Sequence, residues 1–138
     1  MSRPLHYLDA SALVKLVVRE PETEPLRSRI DGCDLVSSEL VLTEVPRAIR
    51  RAAEQIARAD SELMLEVADA VLSEVALLAA DRSVLLAAGA LDAPGLRSLD
   101  AIHVASAMAA MPIDVFVTYD ERQAEAARAT GLAVLSPS

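Results

Sequence analysis

Four acidic residues occur in local patterns that are suited to chemistry. Asp9 ends the run LHYLD, Glu44 lies in LTEV, Asp100 in SLDAIHVASA and Asp120 in FVTYD. Asp9 and Asp120 each follow a short apolar segment, read as a strand, and precede a helical pattern. Because the carboxyl ends of parallel strands meet at one edge of the sheet, where open α/β folds place their sites, we expect a convergent acidic pocket.

A pocket of this composition needs a positive charge. Carboxylates gathered closely repel one another and retain protons at neutral pH unless a cation lies among them. Oxygen ligands without a Cys or His cluster favour Mg²⁺ or Mn²⁺. One or two such ions, ~3.5–4 Å apart, can activate water and stabilise the leaving oxygen in phosphodiester hydrolysis. The general base of such a reaction could be one of the acids or a metal-bound hydroxide, and the sequence does not distinguish the two.

Each acid taken alone also has an ordinary structural interpretation. An Asp at a strand end is commonly a turn or cap residue, which applies to Asp9 and Asp120. Asp100 falls in the first turn of a predicted helix, where a carboxylate interacts favourably with the helix dipole. Glu44 alone fits a solvated helix face. The chemical interpretation therefore depends on the four residues as a set.

The pattern of the whole chain predicts an α/β fold. Apolar runs predict strands at 5–8, 34–36, 75–78, 115–118 and 133–135. Helices are predicted at 11–18, 22–30, from 39 with a kink at Pro46, and at 47–57, 61–72, 82–91, 98–111 and 121–129. Ser37 or Ser38 is expected to cap the third helix, and Ser98 to cap the helix that carries Asp100. Strands alternating with helices imply one domain, residues 1–138, with a central parallel sheet of about four to five short strands flanked by helices.

Composition narrows the function classes. The net charge of −8 argues against nucleic-acid binding through bulk electrostatics, so any such contact must be local and metal-assisted. Cys33 is the single cysteine, and the N-terminus lacks the pattern of a secretory signal. The longest apolar stretches are too short to span a bilayer, so no membrane association is expected. We therefore expect a cytoplasmic protein.

Five segments together resemble a known family. YLDAS, LTEVPRAIRR, LDAIHVASA, VTYD and the late GLAVLSP are similar, in this order, to the toxin branch of the PIN-domain ribonucleases, the VapC-type toxins of toxin–antitoxin pairs. The similarity covers nearly the whole chain. The resemblance implies a small α/β sandwich with a parallel sheet, Mg²⁺-dependent endonuclease activity on RNA, a homodimer, and inhibition by a cognate antitoxin.

The resemblance also implies roles for individual residues. Asp9 matches the family's first acid, Glu44 the helical glutamate, Asp100 the acid opening the later helix, and Asp120 the last acid. Ser11 and Thr118 match hydroxyls that support these carboxylates, although each also fits an ST-turn or a strand-edge position. Pro46 lies close to Glu44 and puts the reach of that carboxylate in question.

Basic residues near the acids are candidates for substrate binding. Arg47 and Arg51 follow Glu44 by three and seven residues, which places them near its helix face, with Arg50 and Arg58 as the next candidates. The alternative is a solvated arginine face paired with Glu54 or Glu62. Lys15 lies one turn beyond Ser11 and could contact substrate or cover apolar surface with its stem.

Two further interpretations concern packing and partners. His103 is interpreted as a packed helix residue rather than a ligand. An antitoxin with a basic C-terminal segment is expected to enter the acidic pocket. Its anchor could be a groove of apolar side chains, which otherwise are ordinary core: Leu13, Leu16, Val17, Ile49 and Ala53. Residues 82–91 and 103–111 are candidates for a dimer surface.

Other classes fit less well or remain open. A haloacid-dehalogenase-type phosphatase needs a second Asp where this chain has Ser11. A receiver domain needs an adjacent acidic pair and a late lysine, but the only lysine is Lys15. Two alternatives remain: a non-catalytic module whose acids bind a basic partner, and a PIN-type RNA-processing nuclease that is not a toxin. The RNA target cannot be read from a chain with so few aromatic residues.

Overall fold

The computed structural model of the 138-residue chain describes residues 3–138, in which five parallel strands form one sheet. The strand order is β3-β2-β1-β4-β5. The strands are β1 (Leu5–Leu8), β2 (Asp34–Ser38), β3 (Ala76–Leu78), β4 (Val115–Val117) and β5 (Val134–Leu135). Tyr7 is paired with Val36 on one side and with Phe116 on the other. The α/β class and the parallel sheet predicted from the sequence are confirmed.

Helices connect the parallel strands and cover the sheet on both sides. They are α1 (Ala10–Lys15), α2 (Thr23–Ile30), α3 (Val41–Gln55), α4 (Ser61–Ser73), α5 (Arg82–Gly89), α6 (Ser98–Ala109) and α7 (Glu121–Ala129). The first helix ends at Lys15, earlier than the expected residue 18. The helix predicted in two parts around Pro46 is one helix, α3, which contains the proline.

Two predicted helix caps are wrong. Ser37 belongs to β2, and its hydroxyl donates to the Leu8 carbonyl oxygen at 2.6 Å, which joins the two strands. Ser38 accepts a bond from the Leu40 amide, but Leu40 itself is the N-cap of α3. Arg97 is the N-cap of α6, and Ser98 is its first helical residue. Both helices thus begin close to the expected serines, but a different residue occupies the cap.

The core forms two layers, because side chains alternate between the faces of each strand. On one face Leu8 and Val117 pack with residues of α1, α3 and α4. On the other, Tyr7 and Phe116 pack with Val104 of α6, and their rings stack with centroids 5.1 Å apart. The central strands β1 and β4 are therefore buried on both faces, and their carboxyl ends are held between the helical layers.

Three of the five residues of the predicted apolar docking groove are buried, and Val17 and Ala53 are only partly exposed, so the described residues 3–138 do not present these five side chains as an open groove. Leu13 and Ile49 are fully buried, and Leu16 is 8% exposed. All three belong to the core layer that packs α1 against α3. Their alternative interpretation as ordinary core is therefore confirmed. None of the helices within residues 3–138 has the length and apolar character needed to cross a membrane.

Candidate active site

Asp9 lies at the carboxyl end of β1 and caps α1. Its Oδ1 accepts hydrogen bonds from the Ser11 hydroxyl at 2.6 Å and from the Ala12 amide at 3.0 Å. Its Oδ2 accepts from the Thr118 hydroxyl at 2.5 Å. The side chain is only 2% exposed. With donors on both oxygens, the carboxylate is fixed in one orientation.

Burial sets the protonation behaviour of Asp9. Removal from water disfavours the charged form and raises the pKa of this carboxyl group. The bonds from Ser11, Thr118 and Ala12 stabilise the charged form and oppose that effect. The two hydroxyl residues predicted to support the carboxylates therefore both contact Asp9 directly.

Asp120 lies just beyond β4 and is connected to Asp9 through Thr118. Its Oδ1 caps α7 by accepting from the Gln123 amide at 3.0 Å. Its own amide donates to the Thr118 hydroxyl oxygen at 3.1 Å. The Tyr119 amide donates to the Ser11 hydroxyl oxygen at 2.9 Å. The start of α1 and the turn after β4 therefore form one hydrogen-bonded unit.

Asp100 lies in the first turn of α6 and faces the other acids. Burial, followed by the negative charges of Asp120 and Asp9, raises the pKa of its carboxyl group. The Gln123 side chain donates to the Asp100 carbonyl oxygen at 3.2 Å, so the helix that carries Asp120 also holds the helix that carries Asp100. Asp100 and Asp120 line the same cavity, with Asp9 beneath Ser11 at its floor, so the three carboxyl groups share one region.

Glu44 reaches the same region from α3 despite the neighbouring Pro46. Its Oε1 lies 2.6 Å from His103 Nε2. The other ring nitrogen, Nδ1, lies 2.7 Å from the Tyr7 hydroxyl. His103 is packed, as expected, with 1% of its surface exposed. Sequence reasoning missed its bond to Glu44, although His103 follows Asp100 by three residues and so shares its helix face.

These residues surround one open cavity of about 750 Å³. Asp9 and Thr118 lie beneath its floor, joined to Ser11 by hydrogen bonds. The remaining predicted site residues line it directly: Ser11, Lys15, Glu44, Arg47, Arg51, Asp100 and Asp120. The structure therefore brings all nine predicted residues together at the carboxyl edge of the sheet.

The basic residues at this cavity differ in their surroundings. Arg47 and Arg51 are exposed on α3 and, within residues 3–138, form no ion pair with Glu54 or Glu62. Lys15 is different: its Nζ lies 2.5 Å from Glu20 and 3.4 Å from Glu22. The charge of Lys15 is thus neutralised by its own chain.

Sequence reasoning missed Arg97. This exposed residue caps α6 and lines the cavity together with Asp100 and Asp120. A neighbouring depression contains Arg97, Asp100, Asp120, Glu121 and Arg122. The only available signal was its position three residues before Asp100. Arg97 and Arg47 therefore place positive charge on two helices around the acids, whereas Arg50 and Arg58 do not line the cavity.

The donor set could hold a hydrated divalent cation. Four carboxyl groups supply only oxygen ligands, and none of them pairs with Lys or Arg in the described residues 3–138. Within the same range, no three His, Cys, Asp or Glu side chains converge closely enough to enclose an ion by themselves. Mg²⁺ retains several waters and takes few protein ligands, which matches acids spaced around an open cavity.

Comparison with known proteins decides the family. The PIN-domain family profile matches residues 6–129. Ribonuclease VapC46 of Mycobacterium tuberculosis is 41% identical over 135 residues, covering 96% of this chain and 97% of that protein. This chain belongs to the PIN-domain family, in its VapC branch. Ribonuclease VapC35 of the same species is 39% identical over 137 residues, with 95% of this chain and 96% of the relative covered.

Solved structures show the same PIN fold. The VapBC2 structure of Rickettsia felis, bound to a DNA fragment from its promoter, matches with a TM-score of 0.70 at 15% identity, covering 97% of this chain and 99% of that chain. FitAcB of Neisseria gonorrhoeae matches with a TM-score of 0.69 at 15% identity, covering 96% and 97%. The recognition made from five sequence segments is confirmed.

Proposed function

We propose that this PIN-domain protein is a metal-dependent endoribonuclease and the toxin of a toxin–antitoxin pair. The observation that carries this proposal is the convergence of Asp9, Glu44, Asp100 and Asp120 at one cavity, beside arginines without ion-pair partners in residues 3–138. Acids supply the ligands for Mg²⁺ or Mn²⁺, and arginines supply contacts to phosphate. The names of the relatives, ribonucleases VapC46 and VapC35, agree with RNA as the substrate.

Each residue has a definite task in the proposed reaction. Asp9, Asp100, Asp120 and Glu44 are the residues that would hold Mg²⁺ or Mn²⁺, some of them through water. The bound ion lowers the pKa of water and stabilises charge on the leaving oxygen. Ser11 and Thr118 keep the Asp9 oxygens in place by their hydrogen bonds. Arg47, Arg51 and Arg97 orient the RNA backbone, and Lys15 joins them only if substrate displaces Glu20.

The proposal is tested by incubating purified protein with a panel of structured RNAs. We expect Mg²⁺ or Mn²⁺ to be required for internal cleavage, EDTA to abolish it, and Asp9→Asn protein to lack it. Full cleavage in EDTA would refute a metal-dependent mechanism. Binding of a basic protein without cleavage of any RNA would favour the alternative, a non-catalytic acidic interaction module.

The antitoxin is proposed to carry a basic C-terminal segment. An arginine or lysine at its tip would pair with Asp9, Glu44, Asp100 or Asp120 and so displace the metal or block RNA. We expect co-expression with the product of the neighbouring gene to abolish RNA cleavage, and truncation of that product's C-terminal segment to restore it. A truncated partner that still inhibits would exclude an inserted basic residue.

Toxicity separates a toxin from an RNA-processing nuclease of the same family. Induced expression in the cytoplasm of a bacterial host should arrest growth, while the Asp9→Asn protein should not. Normal growth with an active nuclease would favour the processing role.

A homodimer is also proposed. Four apolar side chains of the two predicted dimer segments are exposed, namely Leu85 and Leu86 of α5, Met108 of α6, and Met111 just beyond α6, whereas residues 103–107 are buried in the core. Burial of such side chains between two copies would remove them from water. Light scattering at micromolar concentration should give twice the 14.6 kDa chain mass, and a species of 14.6 kDa alone would refute the dimer.

A further inference from the structure

The Glu44 carboxylate is connected to the interior of the protein by a chain of two hydrogen bonds. Glu44 Oε1 lies 2.6 Å from His103 Nε2, and His103 Nδ1 lies 2.7 Å from the Tyr7 hydroxyl. Tyr7 is fully buried and His103 is 1% exposed, whereas the Glu44 side chain is 19% exposed. The polar chain therefore runs from the core layer around β1 to the edge of the acidic cavity.

A singly protonated His103 ring that donates to Glu44 determines the direction of both bonds. A carboxylate has no proton to donate, so His103 Nε2 must carry the proton that it shares with Glu44. In the neutral ring Nδ1 is then an acceptor, and the Tyr7 hydroxyl donates to it. Tyr7 is buried beside Nδ1 and can donate its hydroxyl proton to that nitrogen, an arrangement in which Nε2 carries the ring proton and donates to Glu44.

Glu44 has few other restraints. It belongs to the long helix α3, where Pro46 follows two residues later, and residues of α3 next to it on the cavity side are exposed. A glutamate has three rotatable side-chain bonds, so without a partner it would occupy several rotamers. The Asp9 carboxylate, in contrast, accepts hydrogen bonds from three donors, which belong to Ser11, Ala12 and Thr118.

We propose that His103 is a positioning residue that holds the Glu44 carboxylate toward the cavity, and that Tyr7 holds His103 in the form able to do so. The inference rests on the proposed function, because the position of Glu44 matters for RNA cleavage only if the acids form the active site. His103 does not touch the substrate. It acts through Glu44, as hydrogen-bond partners of metal-binding side chains do in other sites.

A matched pair of substitutions tests the role of His103. His103→Gln keeps an amide N–H at about the reach of Nε2, while His103→Asn is one carbon shorter and cannot reach Glu44. We expect the Asn variant to lower kcat about 10–100-fold, the range usual for such partners, with KM nearly unchanged. The Gln variant should recover most of the loss. Tyr7→Phe should lower kcat by about tenfold.

Packing damage is controlled by Phe116→Leu. This ring is fully buried and stacks on Tyr7, but Phe has no polar group. We expect this variant to lose thermal stability while keeping kcat close to that of the wild type below its melting temperature. If it loses as much kcat as Tyr7→Phe, packing rather than the hydrogen bond explains the effect, and the role of Tyr7 is wrong.

Two readouts are independent of RNA cleavage. Calorimetric titration with Mn²⁺ should give weaker binding for His103→Asn than for His103→Gln. In ¹⁵N-labelled wild-type protein, His103 Nε2 should be protonated, and its proton signal should shift in Glu44→Ala. Equal Mn²⁺ affinity and equal kcat in the Asn and Gln variants would overturn the inference while leaving the nuclease function intact. If the wild-type protein cleaves no RNA, the proposed nuclease function is wrong. An unprotonated His103 Nε2 would overturn the proposed role of His103, whether or not RNA is cleaved.

Discussion

The two sides of the acidic cavity are positioned by different parts of the fold. On the strand side, Asp9 and Asp120 follow β1 and β4 and cap the next helices. Ser11 lies two residues from Asp9 and Thr118 two residues from Asp120, and the pairing of β1 with β4 brings Thr118 to Asp9 across 109 residues of sequence. On the helix side, Glu44 lies 59 residues from its partner His103. Two adjacent paired strands therefore build one side of the cavity, and the packing of helix α3 near helix α6 builds the other.

This difference has an energetic consequence. Pairing of β1 with β4 brings the Thr118 hydroxyl to the buried Asp9 carboxylate, whereas the partly exposed Asp120 carboxylate is held by the Gln123 amide of α7. The helix-side glutamate depends on the correct distance between α3 and α6. We therefore expect substitutions on the strand side to affect the chemistry directly, and those on the helix side to act through the position of one carboxylate.

The largest effect is expected for Asp9→Asn. The substitution keeps the shape of the side chain but removes its charge, so the metal loses a ligand or a water-bridged partner. Cleavage of RNA should fall by more than about 100-fold, the upper end of the range for outer partners of metal sites. Single-turnover cleavage rates at saturating Mg²⁺ measure this change.

The control is Asp34→Asn. Asp34 is exposed, begins β2 at the opposite edge of the sheet and pairs with Arg3. The Asp34→Asn protein should retain full RNA-cleaving activity. Equal losses in the two variants would indicate a general effect of charge, and would contradict a special role of the strand-side acid.

A smaller loss is expected for Thr118→Val. The substitution preserves the volume of this fully buried side chain but removes the donor to Asp9 Oδ2 and the acceptor of the Asp120 amide. We expect RNA cleavage to fall about 10–100-fold. Thr130→Val, which removes a hydroxyl bonded to the Ala127 carbonyl at the far end of α7, is the control. Wild-type activity in the Thr118→Val protein would show that Thr118 is only a strand-edge residue without a role in RNA cleavage.

The same contrast explains how much of the molecule could be predicted from sequence. Alternating strands and helices determine a parallel sheet, and acids at strand ends then must lie at one edge, so Asp9 and Asp120 could be placed without a structure. The error at α1 arose because the apolar residues Leu16 to Val18 continue the helical pattern, while the backbone leaves the helix in a turn after Lys15.

The helix side could not be placed in this way. Local spacing puts His103 on the face of Asp100, but nothing in the sequence gives the angle or distance at which α3 meets α6. The bond between His103 and Glu44 follows from that packing. The same limit applies to Leu13 and Ile49. An apolar helix face predicts that these side chains are buried, but it does not tell whether they pack in the protein's own core or against a partner.

Substrate-binding arginines should show a third, weaker effect. Arg97→Ala and Arg51→Ala should each raise KM about two- to fivefold with kcat nearly unchanged, since an exposed charge pair adds up to ~1 kcal/mol. The slope of log affinity against log salt should become shallower by roughly 0.7 for each phosphate that the variant no longer neutralises. Arg50→Ala, on the same helix as Arg51 but outside the cavity, is the matched control and should behave as wild type.

The smallest effect concerns the stability of the metal-free protein. The folded state raises the pKa of Asp100 through burial and through the charges of Asp120 and Asp9. Such a group binds its proton more tightly when folded than when unfolded. As pH rises above the ordinary Asp value of about 3.9, the unfolded chain releases this proton first, so the free energy of unfolding falls. The decrease in the free energy of unfolding ends once the pH exceeds the raised pKa of Asp100 in the folded protein.

Asp100→Asn should remove this contribution. In EDTA the variant should be more stable than wild type at neutral pH, by less than about 1 kcal/mol, because one like charge is gone but water screens the repulsion at this partly exposed side chain. The advantage should shrink toward about pH 4, where Asp100 is protonated in both states. Urea denaturation at several pH values measures both quantities. Adding Mg²⁺ should make the wild type the more stable protein. An ion that binds only the folded state stabilises it, and the wild type has one more carboxylate to bind the ion than the variant has. An advantage that is independent of pH would show that packing, and not repulsion within the acidic cavity, distinguishes the two proteins.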